Sequence, residues 1–377
     1  MLNLLTAGES HGECLTGILE GMVSGLRIDT AFIDRELEQR QKGYGRGARQ
    51  KIEADKIHIT SGVRKGETIG SPIAFTIKNR DFVIDELEPV YRPRPGHGDL
   101  AGITKYDRSD ARDILERASA RETATRVAGG AICKLFLLQF GIDITSYTVN
   151  IGGLRVNIEN KSIAEIRESK KNSQINCPCP MMEDEIIKLI AKTMEEKDTL
   201  GGIFEVRIEG VPPGLGSHVH WQRKLDGRLA GAMMSIQAMK GVEIGYGFMS
   251  AVMPGSEVHE PIKYDPTLSG YKYARGGNSA GGIEAGMSNG QPIIIRVAMK
   301  PISTLGKPIQ SVDIRTKEPC EASYQRSDVT AVPAAGYIGE AVAAFVIADA
   351  FLEKFGGDSL KETRRNYEGY MEQISKM

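Results

Sequence analysis

The chain has 377 residues, 41% hydrophobic and 26% charged, the balance of an ordinary folded protein rather than a disordered or collagen-like one. A net charge of −1 excludes nucleic-acid binding by overall electrostatics, and no run of about 18 apolar residues offers a membrane span. Five cysteines, an odd number in a long chain, argue against a disulfide framework, and the start MLNLLTAGESHG lacks the basic segment and apolar stretch of a secretion signal, so a cytoplasmic location is expected.

In chain order, Thr30 to Lys42 reads as a helix with Ile33 and Leu37 on one face and Gly43 as its stop. Strands are expected at Ile57–Val63 and at Ile73–Ile77, where Ile73, Phe75 and Ile77 alternate. A second helix begins at Ser119, whose spacing to Glu122 is that of a capping box, and runs to Gly141 with Ala124, Val127, Ala131, Leu135 and Leu138 at helical spacing. Further strands are expected at Thr148–Val156, Ile203–Val211, Glu243–Phe248 and Ile293–Met299. A third helix is expected over Arg228–Lys240 and a fourth over Gly336–Phe355. The last two are apolar round most of their circumference, which suits burial between layers. Two internal echoes appear. GILEGMVSGLRI (17–28) and EVRIEGVPPGLG (205–216) share E-G-x-x-x-G-L, and Arg126-Val-Ala-Gly leading to Gly141 resembles Arg228-Leu-Ala-Gly leading to Gly241. With no linker between them, the expectation is one domain over 1–377 with two related halves, about 1–156 and 200–356.

Dinucleotide, phosphate-loop, zinc-protease and serine-hydrolase fingerprints are absent, so the chemistry has to come from polar residues in glycine-rich surroundings. GESHG presents Ser10 and His11 between glycines, and YRPRPGHGD presents Arg92, Arg94 and His97. QRQKGYGRGARQKI gathers Arg40, Lys42, Arg46, Arg49 and Lys51 without an acid, a pattern for a compact polyanion. Arg117 beside the Ser119 helix start adds a guanidinium to free amides, with a plain helix cap and solvated arginines as the alternative. The glycine-rich 275–304 segment leads to Lys300, and Arg326 and Asp328 lie before the fourth helix, where a surface ion pair is the bland alternative. Cys177 and Cys179, and His218 and His220, lack further ligands nearby, so no metal is expected.

GESHG, RPGHGD, RASARET, GGNSAGGIEAGMSNG and RSDV, in this order, resemble the chorismate synthase family, and the likeness covers essentially the whole chain. The resemblance implies an α+β fold with helices sandwiched between two antiparallel sheets, pseudo-two-fold internal symmetry and a homotetramer. It implies a lyase that performs the anti-1,4-elimination of phosphate from 5-enolpyruvylshikimate 3-phosphate, giving chorismate for aromatic amino-acid biosynthesis, with reduced FMN as cofactor. Matching motif positions assigns substrate contacts to Ser10, His11, Arg40, Arg46, Arg49, Arg94 and Arg326, and a nicotinamide (NADP-type) phosphate contact to Arg40 and Arg46. FAD and NADP are the other redox cofactors the family brings into view. The flavin would touch Arg117, Ala118, Ser119, Gln237, Ala238, Ala285, Lys300, Pro301, Ile302, Ser303, Thr304 and Arg326. His11 would act as general acid, His97 would keep the flavin correctly protonated, and Asp328 would tune the same nitrogen. No insertion large enough for a built-in flavin reductase is seen, so an external source of reduced flavin is expected, with no nucleic acid or membrane partner. The competing readings are another sugar-phosphate or nucleotide-binding enzyme, and an RNA-binding protein that uses GYGRGARQK as its arm.

Overall fold

Alternating apolar residues build two antiparallel sheets, and the longest apolar helices fill the space between them. The computed structural model describes residues 2–47, 54–158, 161–307, 309–324 and 328–377. In the first sheet β1 (Asn3–Ala7), β2 (Cys14–Glu20), β3 (His58–Ile59) and β6 (Ile73–Lys78) lie in the order β1-β2-β6-β3, with the hairpin of β4 (Val63–Arg64) and β5 (Glu67–Thr68) beside it. In the second, β7 (Asp143–Ile151), β8 (Leu154–Arg155), β9 (Gly202–Glu209), β10 (Met239–Ile244) and β15 (Ile293–Met299) lie in the order β10-β15-β9-β7-β8. Three more hairpins pair β11 (Ile262–Tyr264) with β12 (Tyr273–Arg275), β13 (Ile283–Glu284) with β14 (Met287–Ser288), and β16 (Gln310–Val312) with β17 (Pro319–Glu321).

Among the described residues the α-helices longer than one turn are α1 (Thr30–Gln41), α2 (Asp99–Tyr106), α3 (Arg112–Ala118), α4 (Thr123–Leu138), α5 (Ile163–Lys170), α6 (Pro180–Glu195), α7 (Leu225–Met234), α8 (Val332–Phe355) and α9 (Leu360–Ser375). The period-two strands turn Ile73, Phe75 and Ile77 in β6, and Ile293, Ile295 and Val297 in β15, into one fully buried core. Helices α4 and α8 cross within that core. Helix α8 has the length and hydropathy of a membrane span, but 83% of its most apolar window is buried inside the protein. Its Asp349 accepts a hydrogen bond from the Leu2 amide at 2.6 Å.

The crossing depends on Gly130. A Cβ there would stand 2.3 Å from the Ala341 carbonyl oxygen and 2.6 Å from its Cα, backbone atoms that no rotamer change can move. Helix propensity alone would favour alanine by about 1 kcal/mol. Gly130→Ala is instead expected to destabilise the fold by about 1–3 kcal/mol, the cost of overpacking a close-packed core, and denaturant unfolding measures the sign.

The two sheets repeat one plan. Four strands stand in a like order by sequence in each, first, second, fourth and third (β1-β2-β6-β3 and β7-β9-β15-β10), with the short β8 added beyond β7 in the second sheet. The E-G-x-x-x-G-L echo has the same local structure twice. Thr68 Oγ1 accepts from the Leu26 amide (2.9 Å) and donates to the Val23 carbonyl (2.6 Å), while Ser288 Oγ accepts from Leu215 (2.8 Å) and donates to Pro212 (2.6 Å). The second echo follows a different logic. Strand order matches α7 with α1, since each precedes the outer strand β10 or β3, and matches α4 with α8.

Other expectations are corrected by tertiary structure. The third helix stops at Met234, and residues 239–244 form β10, because pairing with β15 captures them. The expected 148–156 strand is the end of β7, a turn, and β8. The expected start at Ser119 is a single 3-10 turn, with α4 beginning at Thr123. The Ser119 hydroxyl accepts from Arg121 rather than from Glu122. No capping box forms there, since the Glu122 carboxylate is taken by Thr6, Arg126 and Gln237. Strands β1 and β2 and helices α2, α3, α5, α6 and α9 had no counterpart among the expected elements.

Candidate active site

At one end of the helical layer, the C-terminal end of α1, the exit of α7 and the entries of α4 and α8 surround a cavity of about 430 Å³. That volume falls within the roughly 300–1,000 Å³ of small-molecule sites. Helix α8 opens with Ala331, which has no side chain to cap the first amides, and so presents the positive end of a 24-residue helix to the cavity. Ile236, Met299, Ile302, Ala334, Ala335 and Ile338 give it an apolar wall.

The polar wall is cationic. Arg40, Arg46, Arg94, Arg121 and Lys300 line it, against Asp328 as the one carboxylate among the described lining residues. Most of these cations are fixed by acids set behind them. Buried Asp55 accepts from Arg40 Nη2 at 2.8 Å, and both of its oxygens lie 2.6 Å from Arg121 Nη1. Burial would raise the Asp55 carboxyl, but Arg40 and Arg121 outweigh it and hold it below the usual range. Burial likewise pulls the Arg40 guanidinium below its ordinary value, with Asp55 opposing. Arg40 Nε is buried and has no partner among the described residues. Arg46 pairs with Asp328 at 2.8 Å, and the Gly47 amide donates to the same carboxylate at 2.6 Å.

Both glycine-flanked histidines reach this cavity, and each rests on a buried carboxylate. His97 Nδ1 lies 2.5 Å from Asp99 Oδ1, and Arg94 donates to the same carboxylate through Nε (2.8 Å) and Nη2 (3.0 Å). Burial would raise Asp99, but hydrogen bonds from His97 and Arg94 hold it far below the usual carboxylate value. Arg94 also donates to Thr304 Oγ1 at 3.0 Å, so its fork is largely engaged within the protein. His11 Nδ1 lies 2.9 Å from Glu116 Oε2, and Ser10 Oγ donates to that oxygen at 2.5 Å. Burial would raise Glu116 as well, yet the bonds from His11 and Ser10 lower it to about 2.

The depressed Glu116 value has a consequence for stability. The group stabilises the native state above its ordinary value near 4.5, and that contribution is lost as pH falls toward about 2. An acid unfolding series is expected to show a loss over this window that Glu116→Gln lacks. Identical curves for both proteins would refute it.

Of the residues named from sequence, Ser10, His11, Arg40, Arg46, Arg94 and His97 line the cavity, as do Ala118, Ser119, Gln237 and Ala238. So do Lys300, Ile302, Ser303, Thr304 and Asp328. Arg117 does not. Its guanidinium donates to the carbonyls of Gly8 (3.1 Å) and Thr6 (2.8 Å), tying α3 to the end of β1. Pro301 is not among the lining residues, and Ala285 sits apart from them in the β13–β14 turn at φ 49°. Gln237 and Ala238 reach the cavity from the turn after α7 rather than from a helix. Arg49 and Arg326 lie outside the described residues. Sequence reasoning missed Asp55, Asp99, Glu116 and Arg121 as parts of the site. Asp99 and Arg121 stood within the quoted RPGHGD and RASARET motifs, and Glu116 lies one residue before the second. Asp55 carries no local signal.

A cationic, partly apolar cavity with two carboxylate-backed imidazoles suits a small polyanion and proton transfer. The sequence model of the chorismate synthase family matches residues 2–352. The chain belongs to this family. It is 52% identical to the chorismate synthase of Geobacter sulfurreducens, with 99% of each chain covered. It is 53% identical to that of Desulforamulus reducens, with 97% of each covered, and 54% identical to that of Caldanaerobacter subterraneus, with 98% of each. A crystal structure of a chorismate synthase superposes with a TM-score of 0.82 at 43% identity, covering 100% of this chain and 99% of that one. As a chorismate synthase the chain is a carbon–oxygen lyase, eliminating phosphate from 5-enolpyruvylshikimate 3-phosphate to give chorismate. The excess of cations matches that substrate, whose two carboxylates and phosphate carry about four negative charges near neutrality.

Proposed function

We propose that the 430 Å³ cavity is where this elimination occurs, with reduced FMN bound beside the substrate. The observation that carries the reading is the convergence of Ser10, His11, His97, Ser119 and Asp328 on one cavity from distant parts of the chain. The residues fit a flavin. Gln237 Oε1 is buried with no partner among the described residues, an acceptor suited to a ring N–H, and it stands beside the apolar wall. Ser119, Ala238 and the Lys300–Thr304 stretch would hold the group. When bound, it supplies electron density to the departing phosphate and a nitrogen that accepts the ring proton.

The protein's own tasks are binding, orientation and proton placement. Arg40 and Arg46, each backed by a carboxylate, face the substrate's anionic groups. His11 donates the proton that accompanies phosphate departure. His97, held on Asp99, and Asp328, held by Arg46, keep the flavin's protonation state. Reduced flavin would be supplied from outside the chain. Exposed Trp221, Phe248, Val252 and Ile262 are suited to contacts between copies, in keeping with a homotetramer in the cytoplasm. The chain would be one domain with two related halves, about 1–156 and 200–356; taking β7 as the counterpart of β1 would move their division to the turn before β7. Anaerobic incubation of the enzyme with substrate and dithionite-reduced FMN is expected to release phosphate and chorismate together. Turnover in air with NADPH and oxidised FMN alone would contradict the need for an outside reductant.

A further inference from the structure

The loop between β1 and β2 is held on α3 by one acid. Glu116 is almost wholly shielded, its side chain 1% exposed against 20% for His11. Its Oε2 accepts from Ser10 Oγ at 2.5 Å and from the His11 amide at 3.0 Å. His11 Nδ1 lies 2.9 Å from Oε2 and 3.1 Å from Oε1, and Arg112, one turn earlier on α3, approaches Oε1 at 3.4 Å. The Ser10 amide donates to the Glu116 carbonyl at 3.0 Å, so main chain and side chain hold the loop in one place.

We propose that Glu116 is the positioning residue for His11, fixing a proton on Nδ1 so that Nε2 is the ring atom that gives a proton up. An ionised carboxylate only accepts hydrogen bonds, so the nitrogen facing it carries hydrogen in both the neutral and the cationic ring. The low value of Glu116, about 2, keeps that acceptor ionised at neutral pH. The opposite edge, Nε2, faces away from Glu116, with Asp81 Oδ2 at 3.7 Å. The proposal rests on the reading of His11 as the acid. As the carbon–oxygen bond breaks, its electron pair leaves with the phosphate, the Nε2 proton joins a phosphate oxygen, and Nδ1–H stays on Glu116.

Glutamine at 116 keeps the size but turns an N–H₂ group toward the ring. Its single oxygen is claimed by Ser10 and the His11 amide, so Nδ1 becomes an acceptor and the neutral ring's proton moves to Nε2. Glu116→Gln is therefore expected to lower kcat by about 100-fold with KM nearly unchanged, and Glu116→Asp to recover at least about tenfold of it. Ring-¹⁵N histidine labelling of the FMN-bound enzyme, assigned against His11→Gln, reads the tautomer directly. Wild type is expected to keep hydrogen on Nδ1 when the ring is neutral, and Glu116→Gln on Nε2. A wild-type Nε2–H tautomer would overturn the proposal even if Glu116→Gln failed to fold, and so would a Glu116→Gln enzyme with unchanged kcat. Retained turnover in His11→Ala would sink the reading of His11 itself. Loss in His11→Ala, with normal turnover and an unaltered tautomer in Glu116→Gln, would sink only the role of Glu116.

Discussion

His11→Ala is expected to turn over about 10²–10⁴-fold more slowly than the parent, the range a positioned proton donor contributes. The imidazole lines the cavity with its far edge held on Glu116, while the other carboxylate-backed imidazole, His97 on Asp99, is the one assigned to the flavin. Asp81, the acid nearest Nε2, is a third exposed and is an acceptor when ionised, so it cannot stand in as donor. The flavin-facing wall of Ser119, Gln237 and the 300–304 stretch is untouched, so reduced FMN should still bind. Anaerobic single-turnover release of phosphate separates the two quantities. Loss of flavin binding in step with activity would mean that the alanine had disturbed the loop rather than the chemistry.

Asp55→Ala is expected to cost about 3–5 kcal/mol of stability, the penalty for removing one partner of a buried ion pair. Here two cations are stranded. Arg40 and Arg121 are 3% and 7% exposed and share this carboxylate, and Arg121 Nε also donates to Asn79 Oδ1 at 2.8 Å. Replacing the pair Asp55 and Arg40 by apolar residues of similar volume should restore part of the loss, since the cost is that of an uncompensated charge. Denaturant midpoints for the single and double variants test this. A change below about 1 kcal/mol in the single variant would show that the cluster relaxes into water.

How much of this was legible in the sequence depended on how local the cause was. Strand β15 was read to its end residues, and α1 to within one, because alternating or helical spacing and a glycine stop lie within the segment itself. The expected helix over Arg228–Lys240 rested on a segment rich in alanine, glycine, serine and methionine, but it ends at Met234, and pairing of β10 with β15 captures Met239 onward. Ser119 and Glu122 had the spacing of a cap, but Glu122 found three partners elsewhere in the fold. The histidines stood out because glycines flank them, and both reach the cavity. Their carboxylate partners differed in visibility. Asp99 lies two residues from His97 in the same motif, whereas Glu116 is 105 residues from His11 and meets it only through the packing of α3 on the β1–β2 loop. Asp55 was invisible for the same reason, since its two arginines come from α1 and from the turn before α4. The bonds from Arg117 to the Gly8 and Thr6 carbonyls were equally hidden, since they too join α3 to a distant stretch of chain.

The account stands on one cavity that holds substrate and flavin together. Its most direct test is a crystal structure of the chain with oxidised FMN and 5-enolpyruvylshikimate 3-phosphate. The prediction is an isoalloxazine ring against Gln237 and Ile302, with the substrate's anionic groups on Arg40 and Arg46 and His11 beside the phosphate. Density for either ligand outside this cavity, or a phosphate remote from His11, would contradict it.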